Sequence, residues 1–349
     1  MDKIFIKTNQ QILRTFTLPY SGTVLVRTGQ EVQAGEPVAE IEMPERYQVF
    51  DVVNNFKINP KYLDNYVERL VGESVKAGDV IAQKPGLFSR IFRASQDGMI
   101  VSIRDGKITV ALGKRKEQVQ AAFPGMVVEL IPERGAVIAA QGSLLQGAWG
   151  NGLNAAGILL RMADDQEVPD HKDELSLPEG HIMVLDSCSR SGNLKLLLAK
   201  KPVGLVFGSI SPELLPEIEH LPIPVMSLTG FGDYQIDSYS SALLDQMAGK
   251  TVYLNANIPD TLTGAKPELI LPGGEGLSTG LFAGEDQLEI GDKVRLLGKP
   301  YTGSVGIVIE LPEEVEMFAS GLLMRAAVVR RQDEQIIRVP RENLEVILD

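Results

Sequence analysis

A chain of 349 residues with 44% apolar and 23% charged side chains carries enough apolar material for two or three cored domains, which excludes a wholly disordered protein. Its net charge of −12 argues against indiscriminate binding to phosphate backbones. The single cysteine, Cys188, excludes an internal disulfide and a thiolate zinc site. No stretch approaches the ~18 consecutive apolar residues of a bilayer span. Residues 1–5 open without a basic region followed by an apolar run. A cytoplasmic setting without membrane insertion is therefore expected. The charge is unevenly spread: 18 Lys/Arg against 16 Asp/Glu over residues 1–145, 8 against 18 over 146–285, and 8 against 12 over 286–349. The split marks units with different surfaces.

The first unit, residues 1–145, contains a duplication. Gly29, Val32, Ala34, Gly35, Val38 and Ala39 recur at one constant offset as Gly72, Val75, Ala77, Gly78, Ile81 and Ala82. The valines begin short strands, and the Ala-Gly pairs supply turns in which a positive φ is cheap. Gly22, Gly98 and Gly125 each open a further Gly-x-aliphatic element. Short strands at even spacing, punctuated by Gly and Pro, indicate a sandwich or barrel.

On these residues, segments 18–43 and 72–112 resemble the two halves of a biotinyl/lipoyl-type barrel-sandwich hybrid. The resemblance implies one barrel with the copies related by a pseudo-twofold axis. Carriers of that family present a modified lysine on a hairpin between the halves. Residues 42–46 read Glu-Met-Pro-Glu-Arg, with no lysine, so a scaffold use of the fold and no cofactor are expected. The connection carries a predicted helical insert over about 57–71, with Asn59 as N-cap and Pro60 as first helical residue. Tyr62, Leu63, Tyr66, Val67 and Leu70 form its apolar face. Basic residues then accumulate: Arg90, Arg93, Arg104, Lys107, Lys114, Arg115 and Lys116, together with Lys84, face only Asp97 and Asp105 between positions 84 and 116. They are candidates for docking an acidic partner or nucleic acid, against the plainer reading of a solvated rim of loops.

Residues 146–272 change pattern. Apolar strands at 181–185, 202–207, 223–228 and 251–254 alternate with helical stretches at 194–201, 212–220 and 238–247, which predicts an α/β domain with a mainly parallel sheet. The order resembles small swivelling α/β domains of phosphotransfer enzymes, but no histidine stands at the matching position, so no chemistry follows. Ligands of open α/β sheets sit outside the carboxyl ends of the strands. Two loops there are ligand-binding candidates through Gly208, Ser209, Ser211, Thr229, Gly230, Gly232 and Asp233. The plainer reading is a pair of strand-to-helix turns, one of them capped by Asp233.

Other motifs fail. Gly249-Lys250-Thr251 lacks the earlier glycine of a P-loop, since Leu244 stands there. Cys188 lies in no nucleophile elbow. His171, His181 and His220 have no metal-like spacing, and His171 sits in the charged run 164–174. No catalytic or metal-binding set is identified.

After a glycine-rich linker, 273–285, the last unit spans 286–349. Gly291-Asp292-Lys293-Val294, the Gly303/Gly306 bend and the closing Pro340-Arg341-Glu342-Asn343-Leu344-Glu345 resemble a KOW motif, as in transcription elongation factors of the NusG type and certain ribosomal proteins. The resemblance implies a small five-strand β-barrel that binds RNA or protein. The acidic balance here disfavours direct RNA binding. The expected role is a non-enzymatic modular adaptor or scaffold docking onto a larger intracellular assembly. A protein partner is favoured over nucleic acid. The alternatives are an RNA, transcription or translation factor acting through the KOW-like unit, and an enzyme subunit with its ligand site at the α/β loops.

Overall fold

The computed structural model describes residues 4–86, 89–162, 179–260, 264–273 and 288–348. The charged run with His171 and the linker beyond Gly273 lie outside the described residues. The chain is mostly β, arranged in several sheets, with a continuous sheet of 17 strands running through all three units. No helix among the described residues is long and apolar enough to cross a membrane.

In the N-terminal unit the long strand Ile4–Thr17 pairs antiparallel with Gly135–Gln146, which forms a hairpin with Gly125–Ile131. Pro37–Met43 pairs with Arg115–Gln120. Ile12, Val26, Val32, Val38, Phe123, Val127 and Ile138 are buried in one cluster between them. The duplication is real but differently arranged from the expected barrel of two halves. In the first copy Val32 lies opposite Gly125, the Gly29 amide donates to the Val127 carbonyl, and the Gly35 amide to that of Ala121. In the second copy Val75 lies opposite Gly98, the Gly72 amide donates to Ile100, and the Gly78 amide to Ala94. The bonding is the same at the same offsets, and Gly35 and Gly78 both turn at positive φ, +82° and +88°. Each copy thus has its own Gly-Met-aliphatic partner strand. The second copy also has its own core, built only from residues 50–112 and including Val75, Ile81, Ile100 and Ile108. It is a module inserted into the first, entered next to Met43 and left next to Arg115, where the Glu45 amide donates to the Leu112 carbonyl at 3.0 Å.

The predicted helical insert is shorter than expected. A 3-10 helix covers Pro60–Asn65, and the Asn59 side chain accepts from the Lys61 amide as an N-cap. Beyond it the backbone pairs with the neighbouring strand: Gln83 donates to the Tyr66 carbonyl and Glu68 to that of Ile81. Strand pairing has overridden the helical spacing, leaving Leu70 exposed. An unforeseen short helix, Val52–Phe56, precedes it, capped by Asp51.

The expected mainly parallel sheet of the central unit is seen in part. Asn154–Arg161, His181–Cys188, Gly204–Ile210 and Val225–Ser227 are parallel neighbours. Thr251–Asn255 runs antiparallel beside Asn154–Arg161, followed by Glu268–Pro272, and Trp149–Gly150 closes the other edge antiparallel. The antiparallel flank joins the units, because Glu268–Pro272 pairs directly with residues 142–146. His181–Cys188, Gly204–Ile210 and Val225–Ser227 are largely buried on both faces, as central parallel strands require. Helix Ser238–Met247 covers one face through Leu243, Leu244 and Met247, and Ser191–Ala199 covers the other through Leu194 and Leu197.

In the C-terminal unit, Lys293–Leu296 lies between Val305–Glu310 and Leu344–Leu348, and Leu323–Arg331 and Ile336–Pro340 extend the sheet. Its last strand runs parallel to the start of Ile4–Thr17. Val294 and Leu296 face the unit's own core. Arg295, between them, points the other way and is 1% exposed. Its Nη2 donates to Glu345 at 2.6 Å and to the Leu228 carbonyl at 3.2 Å, and its Nη1 lies 3.7 Å from Asp237. Lys266 donates to the other oxygen of Glu345 at 2.9 Å. Burial pushes the Glu345 carboxyl up, but Arg295 and Lys266 outweigh it and hold that carboxyl below its ordinary value.

Candidate functional site

The two loops at the carboxyl ends of the central strands do meet. Ile210 donates to the Gly230 carbonyl at 3.1 Å, Gly232 to Ile210 at 3.0 Å, and Thr229 to Gly208 at 2.8 Å. Their polar groups, however, bind each other. The Ser209 hydroxyl donates to the Tyr234 carbonyl and accepts from its amide, both at 2.9 Å. The Thr229 hydroxyl donates to the Gly208 carbonyl at 2.6 Å. Ser227 stitches the turn at Gly230 with a further pair of bonds. At Gly208 an added Cβ would stand 2.3 Å from the Asp186 carbonyl, so the glycine serves strand packing. Ser211 flanks a short 3-10 helix without capping it. Asp233 is exposed and makes no hydrogen bond to either loop. The helix cap expected of Asp233 is made by Asp237, which accepts from the amides of Tyr239 and Ser240. The geometry sets a prediction: Thr229→Val lowers stability by about 1 kcal/mol through its lost bond, whereas Asp233→Ala shifts it by less than ~0.5 kcal/mol. Thermal melting of both variants checks this.

The seven basic candidates are all exposed, but they do not form one patch. Lys114 and Lys116 pair with Glu42 and Glu40, each at 3.1 Å, and Arg115 pairs with Glu117, all within the outer module. Arg90 and Arg93 lie on a two-stranded ribbon of the inserted module, where Arg93 donates to the Gly78 carbonyl. Arg104 and Lys107 differ. They face each other across the hairpin of the four-stranded sheet. Alternation puts Lys107, Thr109 and Ala111 on the face away from buried Ile108, Val110 and Leu112. Tyr47 and Val49 lie opposite Ala111 and Thr109 on the same face, at 60% and 56% exposure, and Met99 lies opposite Ala111 on the other side. An apolar centre, with Arg104 and Lys107 at one end and Asp51 opposite Lys107, thus forms the outward face of the inserted module. The sequence carries no signal for this face, because Tyr47 and Val49 alternate with Gln48 as core-facing strand residues do.

A second feature was not foreseen. A cleft of about 890 Å³ opens between the N-terminal strand and the central sheet. Gln146 lies opposite Glu268, Glu268 opposite Asn255, and Asn255 opposite Asn154, so one polar row crosses four adjacent strands and lines the cleft. Arg14 reaches over from the first strand and donates to Glu268 at 2.7 Å. These residues come from distant stretches of chain, and only the register brings them together. No cluster of His, Cys, Asp and Glu suited to a metal ion occurs among the described residues.

No family model matches the chain, and no curated protein matches it.

Proposed function

We propose that the chain is a modular adaptor that docks a protein partner on the outward face of the inserted module. The reading rests on one observation: Tyr47, Val49 and Met99 stand exposed on a single sheet face whose far end carries Arg104 and Lys107. Aromatic and aliphatic anchors with a basic rim fit a partner with an apolar centre and an acidic edge. The rest of the chain serves as the base that holds this module. In the same reading, each nested copy is a biotinyl/lipoyl-like barrel-sandwich and the last unit a KOW-like barrel, both used as scaffolds. The repeated bonding of the two copies and the run of short, mostly antiparallel strands over residues 293–348 support it. With Lys114, Arg115 and Lys116 matched by glutamates, a nucleic-acid role has less to rest on.

The test is co-purification from the native cell with the parent chain, a Tyr47→Glu/Val49→Glu variant and a Glu219→Gln control. A protein held stoichiometrically by parent and control and lost from the double variant is the expected result. Retention by the double variant would remove the assignment. Arg104→Glu/Lys107→Glu should slow association roughly tenfold at low salt, since rim charges act mainly on the on-rate.

A further inference from the structure

We propose that the cleft between the N-terminal strand and the central sheet binds a neutral, hydroxyl-rich small molecule of the saccharide class. This goes beyond the docking role and does not depend on it. The cleft volume, about 890 Å³, falls within the roughly 300–1,000 Å³ of small-molecule sites.

Two side chains in its floor point to a ligand. Gln146 is 3% exposed and Asn255 is 4% exposed, and neither Gln146 Oε1 nor Asn255 Oδ1 has a hydrogen-bond partner. Buried polar atoms are almost always satisfied, so two such oxygens in the row that lines one cleft call for a common donor. The Asn255 orientation is fixed by chemistry: its Nδ2 lies 3.4 Å from Glu268 Oε1, and turning the amide would set oxygen against carboxylate. Asn255 therefore presents an acceptor.

The ligand's charge follows from the neighbours. Glu268 is already held by Arg14, and Lys266, at the edge, by Glu345. The charge of Arg14 is balanced by Glu268, so the pair presents no net positive charge to a phosphate, and a cation would compete with Arg14 for Glu268. Apart from Asp260, the rest of the polar lining is amide and hydroxyl chemistry: Asn154 completes the row, and Thr15, Thr17 and Gln118 line the cleft as well. Hydroxyl groups donate and accept at once, and so match amides that present both functions. Phe16 and Ile258 add apolar surface for the C–H face of a sugar ring.

The experiment is calorimetry and thermal melting of the full chain with D-glucose, D-ribose and maltose as probes, and with glucose 6-phosphate and spermidine as charged comparisons. At least one neutral sugar should bind and raise the melting temperature. Gln146→Leu and Asn255→Leu should each weaken that binding at least tenfold. Without sugar, Gln146→Leu should melt no lower than the parent, because it removes a buried polar atom that lacks a partner. Asn255→Leu also removes the Glu268 contact, so Gln146→Leu decides the matter if the other variant fails to fold. The proposal is overturned by absence of binding for all three sugars, by preference for a charged probe, or by binding that survives both substitutions. A sugar-free melting temperature lowered by Gln146→Leu would also overturn it, since that result makes the amide structural. So would a crystal structure with ordered water on both oxygens and no sugar bound after soaking.

Discussion

Glu345→Leu should lower stability by about 3–5 kcal/mol, the loss typical of removing one partner from a buried ion pair. The substitution removes the 2.6 Å carboxylate partner of Arg295, which is 1% exposed and otherwise reaches the Leu228 carbonyl at 3.2 Å and lies 3.7 Å from a carboxylate oxygen of Asp237. Asp237 cannot turn fully toward it, because its oxygens already cap the helix Ser238–Met247 and accept from the Ser240 hydroxyl. Lys266 suffers less, since it retains 21% exposure and can turn to water. The double variant Arg295→Met/Glu345→Leu should recover most of the loss, because it removes both charges from the interior. Thermal melting, with hydrogen exchange read at residues 293–296 and 344–347, separates the two. A single variant as stable as the parent would show that the cluster contributes nothing. The pH dependence has a definite sign. The folded carboxyl of Glu345 lies below its ordinary value, so its stabilisation is complete above the ordinary carboxylate range and is lost as pH falls through the folded value. The gap between parent and Glu345→Leu should therefore narrow on acidification below that range.

Gly98→Ala and Gly125→Ala should unfold different parts of the N-terminal unit. A Cβ at Gly98 would stand 2.2 Å from the Ala111 carbonyl oxygen, and one at Gly125 2.5 Å from that of Ala139. Both obstacles are backbone within a paired strand, so no side chain can swing aside. The expected destabilisation is at or above the upper end of the ~1–3 kcal/mol typical of overpacking. With Gly98→Ala, lost hydrogen-exchange protection should stay within residues 46–112, because that module has its own core. With Gly125→Ala it should spread into the central sheet, since Gly135–Gln146 pairs both with the disturbed strand and with Glu268–Pro272. Identical patterns for the two variants would contradict the nested arrangement.

The sequence was most legible where structure is local. Helix Ser238–Met247 falls on the predicted residues, and the expected strands at 181–185 and 202–207 are present as His181–Cys188 and Gly204–Ile210. The repeated Gly-x-x-Val-x-Ala-Gly signal marked two copies of one bonding pattern. Their partner strands carry Ser-Gln-Asp in one copy and Ala-Phe-Pro in the other before the shared Gly-Met, so the sequence does not show that each copy closes on itself. The glycines of those strands, Gly98 and Gly125, read only as the openings of Gly-x-aliphatic elements, whereas their role is close approach of backbone to backbone. Contacts between units were illegible for a plainer reason. Arg295 alternates with buried Val294 and Leu296 and so reads as a solvent-facing strand position, and only the packing of another unit against that face buries it. Gln146, Asn255 and Glu268 likewise look ordinary until register aligns them.

The nesting of one module within another has a kinetic consequence. Pairing Met43 with Arg115 in an unstructured chain closes a loop of roughly seventy residues. By the logarithmic scaling of closure entropy, this costs about 3 kcal/mol more than closing a tight turn. The insert removes most of that difference by folding, since its two ends then lie side by side at Glu45 and Leu112. Residues 46–112 also leave the ribosome before the strand Arg115–Gln120 is made. The waiting strand Pro37–Met43 therefore meets its partner as it would across a hairpin. A pairing that is distant along the chain is local when it forms, so Pro37–Met43 and Arg115–Gln120 should join at a rate set by short-range contacts, despite their separation in sequence.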